Sequence, residues 1–120
     1  LADSGLREAR RIRDEERRLR EDEVLARGME GRLKEIFPGC PSGEAKAIAQ
    51  HASIRGSGRV GRSAAGRNLE EEALRLAAIA FIRHRYTTYD DLLMNGMDRA
   101  AARQFVWDKI EETLQHWSKR

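Results

Sequence analysis

Residues 55–67 read Arg-Gly-Ser-Gly-Arg-Val-Gly-Arg-Ser-Ala-Ala-Gly-Arg: four arginines, four glycines, two serines and no acid. The chain as a whole has a formal charge of +3, so everything outside this stretch sums to −1. Guanidinium forks match phosphate oxygens, and a glycine-rich backbone offers free N–H groups to the same anions. Arg55, Arg59, Arg62 and Arg67 are therefore the first candidates for contacts to a nucleic-acid backbone. A structural alternative stays open, in which these arginines pair with Glu70, Glu71 and Glu72 or with acids near the N-terminus. The stretch lacks the Gly-Lys-Ser/Thr ending and the preceding strand of a nucleotide P-loop, which argues against an NTPase. It leads into the N-terminus of the next helix, whose dipole attracts anions. Three glutamates already occupy that field.

The second group with chemical potential is Arg83-His84-Arg85, at the far end of the same helix. Arg83 and Arg85 can extend a phosphate-binding patch. On a helical wheel His84 falls with Ala73, Ala77 and Ala80, which predicts a satisfied interface histidine. The functional alternative pairs His84 with His51 as general acid and base in an RNA-processing nuclease, with arginines stabilising developing charge. No His-x₃-His or Cys-x-x-Cys spacing is present, so no metal and no cofactor is expected. Asp90 and Asp91 read as the first turn of a helix. Cys40, between Gly39 and Pro41, reads as a packed turn thiol.

Composition bounds the rest. Among 120 residues, 36% are charged and 6% aromatic, so the core must be small and mostly aliphatic. With 23 basic against 20 acidic residues, a uniformly positive coat is excluded, whereas a local basic patch is allowed. One cysteine permits no intramolecular disulfide, and a cytoplasmic location is expected. No apolar run approaches the roughly 20 residues that span a bilayer, so no membrane partner is expected. The chain opens on Leu1 rather than Met, which leaves its true N-terminus open.

The elements that must position these residues follow from hydrophobic period and breakers. Residues from about Leu6 to Phe37 predict a helix whose first half is dense in Arg and Glu. Opposite charges stand at helical spacing there: Arg10/Asp14, Arg11/Glu15, Glu16/Arg20, Arg17/Glu21 and Arg18/Asp22. Its second half carries the stripe Leu25, Met29, Leu33 and Ile36/Phe37, with Gly28 and Gly31 expected to weaken or bend it. Phe37-Pro38-Gly39-Cys40-Pro41 stops that helix, and Ser42 is the expected cap of a second, with a thin apolar face of Ala45, Ile48, Ala49 and Ala52. Asn68, with Glu71 three residues on, resembles a capping box for a third. From Ala73 to Ile82 that helix is apolar in nearly every direction, which predicts the buried centre of the domain. A short helix through Leu92, Leu93 and Met94, an Asn95-Gly96 turn, and a final helix capped by Asp98 complete the chain. The final helix carries the stripe Ala102, Val106, Ile110, Leu114 and Trp117. No segment alternates with period two, so the fold class is all-α.

Several of these blocks together resemble a known family: Phe37-Pro-Gly-Cys-Pro41, Ile48-Ala-Gln-His-Ala52 and Ser57-Gly-Arg-Val-Gly-Arg-Ser63. Glu71 to Ala80, Arg83-His84 and Thr88-Tyr-Asp-Asp-Leu-Leu93 fit it too. The family groups uncharacterised bacterial and fungal proteins as domain of unknown function twenty-two ninety-three. The resemblance runs from about Leu33 to Trp117 and leaves the charged N-terminal part outside. It implies that the matched region is one unit. Because the family's activity is unknown, it supplies no catalytic residues.

The outline of helix, Asn-Gly turn and longer helix over residues 88–115 is that of a helix-turn-helix, with Arg99, Arg103 and Gln104 as the groove-facing candidates. The acidic face Asp108, Glu111 and Glu112 opposes phosphate there, and a plain helical hairpin is preferred. The expected architecture is a compact bundle of four or five helices, with a charged helical arm over residues 1–32 and a helical domain over residues 33–120. The expected function is a non-enzymatic nucleic-acid-binding module, RNA ahead of DNA. Arg55, Arg59, Arg62, Arg67, Arg83 and Arg85 would hold phosphates. The alternatives are a protein-interaction module that docks or self-associates through the arm, and the nuclease using His51 and His84.

Overall fold

The computed structural model describes residues 2–54 and 62–119, and among these every regular element is helical. The helices are α1 (Ala2–Ile36), α2 (Ser42–Ala52), α3 (Ala64–Arg67), α4 (Glu71–Tyr86), α5 (Tyr89–Met94) and α6 (Arg99–Trp117). The expected all-α class holds. The single turn α3 is additional to the four or five helices expected, and it lies inside the Arg/Gly-rich stretch.

Helix α1 is 35 residues long, about 52 Å at 1.5 Å per residue, and it sets the long dimension of a molecule measuring 61 × 38 × 23 Å. Its two halves differ because their residues do. The N-terminal half has nothing to bury: Leu6, Ile12, Leu19 and Val24 are exposed among charges. Local ion pairs support it, with Arg17 between Asp14 (3.3 Å) and Glu21 (3.7 Å), and Arg11 paired with Glu8. Each such exposed pair contributes a few tenths of a kcal/mol. The C-terminal half supplies Met29 and Leu33 to the core, and Phe37, just past its end, joins them. Helix α1 runs unbroken through Gly28 and Gly31. The first of these has a packing reason: a Cβ there would stand 3.3 Å from Leu69 Cδ1, so its absence admits that side chain.

The turn at Phe37–Pro41 folds α2 back against α1. Pro41, rather than Ser42, occupies the N-cap position of α2, and no side chain caps it. Ala45, Ile48, Ala49 and Ala52 are buried, and the three alanines allow neighbouring helices to approach closely. Helix α6 presents Ala102, Val106, Ile110, Leu114 and Trp117 inward, the predicted stripe, and its Asp98 cap accepts from the Ala101 N–H at 2.8 Å. Helix α4 lies between these layers and buries Ala73, Leu74, Ala77, Ala78 and Ile82.

The start of α4 departs from the capping-box expectation. Asn68 closes α3, Leu69 takes a left-handed φ of 58°, and Glu70 is the N-cap of α4 without a side-chain bond. The reason is α3 itself: Ser63 caps it through the Gly66 N–H at 3.1 Å, which commits Asn68 to a helix end. Helix α4 is the central element expected, but it is not covered on every side. Leu76 is 47% exposed, Ala80 is exposed, and Phe81 is only half-buried. One face of the most apolar helix is open.

Candidate functional site

That open face forms one wall of a cavity of about 700 Å³, with α2 as the other wall. Helix α4 contributes Leu76, Ala77, Ala80, Phe81, His84 and Arg85, which recur at helical spacing along one stripe. Helix α2 contributes Ile48, His51 and Ala52. The alanine-rich face of α2 explains the space: small residues seat it on α1 but give it no bulk to cover α4. The floor is apolar, and the polar groups among its lining residues are two imidazoles and a guanidinium, with no carboxylate. Such a site suits a ligand that joins an apolar or aromatic part to an anion.

The two histidines thus meet at one cavity, 33 positions apart in sequence. His84 is more than the interface residue the wheel predicts. Its Nδ1 lies 2.7 Å from Asp90 Oδ1, on α5, and its ring meets Tyr89 edge-on at 5.5 Å between centroids. An ionised carboxylate only accepts, so Nδ1 carries the proton and Nε2 is left as the nitrogen that exchanges one. Arg85 lays its guanidinium over the Phe81 ring at 5.6 Å. The Tyr86 hydroxyl approaches the Glu44 carboxylate in the first turn of α2, linking the two helices that wall the cavity.

The four described arginines among the six named from sequence do not converge. Arg55 and Arg59 lie outside the described residues. Arg62 points inward: its Nε donates to the Ser53 carbonyl at 2.8 Å and its Nη2 pairs with Asp22 of α1, with the side chain 15% exposed. At this residue the structural alternative, pairing with an acid of the arm, is what the structure shows. Arg67 is exposed at the end of α3, beside the start of α4, whereas Arg83 and Arg85 stand at its other end, a 16-residue helix or about 24 Å away. Arg83 packs over the Tyr89 ring at 5.6 Å, and burial followed by the Arg103 charge lowers its pKa. Of the four described, only Arg85 lines the cavity. Asp90 was missed as a partner because it stands across a helix break from His84.

The Arg62–Asp22 pair ties α1 to the segment that precedes α3. Replacing Arg62 by alanine leaves Asp22 and the Ser53 carbonyl without this donor. Urea denaturation should report a loss of about 2 kcal/mol, the scale of charge-assisted hydrogen bonds in partly buried settings. A double-mutant cycle with Asp22→Ala should recover most of it as coupling, and strict additivity of the two changes would refute the pair.

Two groups beside the cavity's α2 wall make stability fall in alkali. Burial, then the nearby Glu44 carboxylate, pushes the Cys40 thiol up to about 11 against an opposing Lys34 charge. The hydrogen bond to Glu44, then burial, pushes the Tyr86 hydroxyl up to about 12. Between their ordinary values of 9.0 and 10.0 and these raised ones, the folded chain holds protons that the unfolded chain releases. Stability therefore declines as pH rises through this window. The urea midpoint should drop steadily from pH 9 to 11, and Cys40→Ala should flatten the lower part of that drop. A midpoint unchanged over this range would refute the assignment.

The fold and the cavity define a small all-α domain with an open, basic-rimmed groove between two helices. Over residues 32–118 the chain matches the model of the family described as "Uncharacterized conserved protein (DUF2293)", and it belongs to that family. The match begins in the packed end of α1 and takes in every residue of the cavity. No curated protein and no solved structure matches the chain. Among the described residues no group of three potential metal ligands occurs, and no helix is long and apolar enough to cross a membrane.

Proposed function

We propose that this domain binds nucleic acid, RNA ahead of DNA, by seating a base on the apolar floor between α2 and α4 with the adjoining phosphate against Arg85, His84 and His51. The observation that carries this reading is the lining of the cavity: aliphatic and aromatic below, imidazole and guanidinium above. Phosphate complements that rim, and a nucleobase has the flat apolar face that Phe81 and the alanines can cover. Charge supports it as well. Residues 1–32 carry nine basic and nine acidic side chains, so the net +3 belongs to the remainder, where the four arginines of residues 55–67 supply it. RNA is favoured because its 2′-hydroxyl both donates and accepts, and imidazole nitrogens answer both roles. Arg55 and Arg59 follow the lining residue Ala52 by three and seven positions and extend the proposed phosphate contacts; Arg67 and Arg83 are secondary to them.

Fluorescence anisotropy against labelled single-stranded RNA, duplex RNA and duplex DNA tests this, at low and near-physiological salt. Arg85→Ala should weaken binding about tenfold, the equivalent of one charge-assisted hydrogen bond, and lower the salt slope by about 0.7. Ala80→Trp, at an exposed position, should fill the cavity and weaken binding at every salt concentration. A folded protein that binds none of these ligands, or binds them equally well with both variants, would sink the reading.

A further inference from the structure

We propose that the cavity also cleaves RNA, using His84 and His51 as the base and acid of an internal phosphoryl transfer; this rests on the nucleic-acid reading above. Three observations carry it. Both histidines line one cavity. Asp90 holds His84 by Nδ1 at 2.7 Å, which leaves Nε2 with its lone pair in the neutral ring, the form a base requires. Arg85, the next residue, brings to the same cavity a guanidinium that can stabilise negative charge building on a phosphate.

The step is balanced by RNA alone. His84 Nε2 takes the proton from the ribose 2′-hydroxyl, and the 2′-oxygen forms a bond to the adjacent phosphorus. The bond from phosphorus to the 5′-oxygen of the next nucleotide breaks with its electron pair, and protonated His51 gives that oxygen a proton. The products are a 2′,3′-cyclic phosphate and a free 5′-hydroxyl, with no oxidant, metal or added nucleophile consumed. His84 and His51 are the catalytic residues. Asp90 is a positioning residue that acts through the His84 ring, the role a carboxylate plays for histidine bases elsewhere.

The test incubates the full chain with end-labelled single-stranded RNA, the same RNA carrying 2′-O-methyl groups, and DNA of the same sequence, and measures binding in parallel. The expected result is cleavage of the unmodified RNA alone, with cyclic phosphate ends identified by mass. His51→Ala and His84→Ala should each lower the rate at saturating RNA roughly a hundredfold or more. Asp90→Asn should lower kcat with KM unchanged, which a loss of folding or of binding would not produce. His84→Gln, similar in size, guards against a packing artefact. Binding without cleavage would overturn the inference and leave the binding reading intact. So would cleavage that survives either histidine variant, or cleavage of the 2′-O-methyl RNA. Absence of binding would overturn both.

Discussion

Alanine at Gly39 should destabilise the domain by about 3 kcal/mol or more, the upper end of what overpacking costs. A Cβ at this position would stand 2.3 Å from the Lys119 carbonyl oxygen, 2.8 Å from that of His116 and 3.1 Å from that of Trp117. All three are backbone atoms, so no side chain can rotate away. The Gly39 N–H also donates to the Trp117 carbonyl at 2.7 Å, which gives one of the unpaired carbonyls at the end of α6 its partner. The turn after α1 and the last turn of α6 are thus clamped backbone to backbone, and one methyl group forces them apart. The measurement is the urea midpoint, read beside Gly31→Ala in α1. A Cβ at Gly31 meets nothing within 4 Å, so alanine there should stabilise by about 0.5 to 1 kcal/mol. A wild-type midpoint for Gly39→Ala would mean that α6 does not end against the turn.

The contrast between these two glycines shows what a sequence reveals here and what it hides. The helices were legible because their apolar residues recur at a period that packing requires. Met29 and Leu33 in α1, and Ala102, Val106, Ile110 and Leu114 in α6, are buried as their spacing predicts. The cavity was not legible. Residues 73–82 are apolar in nearly every direction, and periodicity alone reads such a helix as central. Whether a face is covered depends on the bulk of the neighbour, and α2 brings alanines where larger side chains would have closed the groove. The site's polar contacts are non-local in different degrees. His84 and Asp90 are six apart across a break between helices, where no helical spacing applies. Asp22 and Arg62 are forty apart, and either could have paired within its own segment. The composition of residues 55–67 pointed to phosphate, yet Arg62 is spent on holding the arm. Arg85, one of two arginines flanking His84, is the one the cavity uses.

Replacing Phe37 by alanine should cost about 4 kcal/mol, the range for a buried aromatic ring removed from a core that cannot collapse around the void. Phe37 is 1% exposed and sits where α1, α4 and α6 meet. Its ring meets Trp117 edge-on at 6.4 Å between centroids, and the Arg75 guanidinium of α4 covers it at 5.5 Å. Such aromatic pairs add about 1 kcal/mol beyond area, and the cation adds a similar amount. Phe37→Leu keeps much of the volume and should cost only about 1.5 kcal/mol, so that variant remains folded and reports on function. From Phe37 a line of edge-to-face rings continues through Trp117 to Tyr86 (6.3 Å) and on to Phe81 (6.4 Å), which lines the cavity. Rings packed in series transmit a displacement because none has empty space to absorb it. Phe37→Leu should therefore shift the near-UV circular dichroism of the tryptophan and tyrosine, and weaken the RNA binding proposed above about threefold although the substituted residue touches no part of the groove. Unchanged RNA affinity alongside the expected loss of stability would show that the cavity wall stands independently of the hub. In that case Phe81 is held by α4 and its Arg85 cover alone.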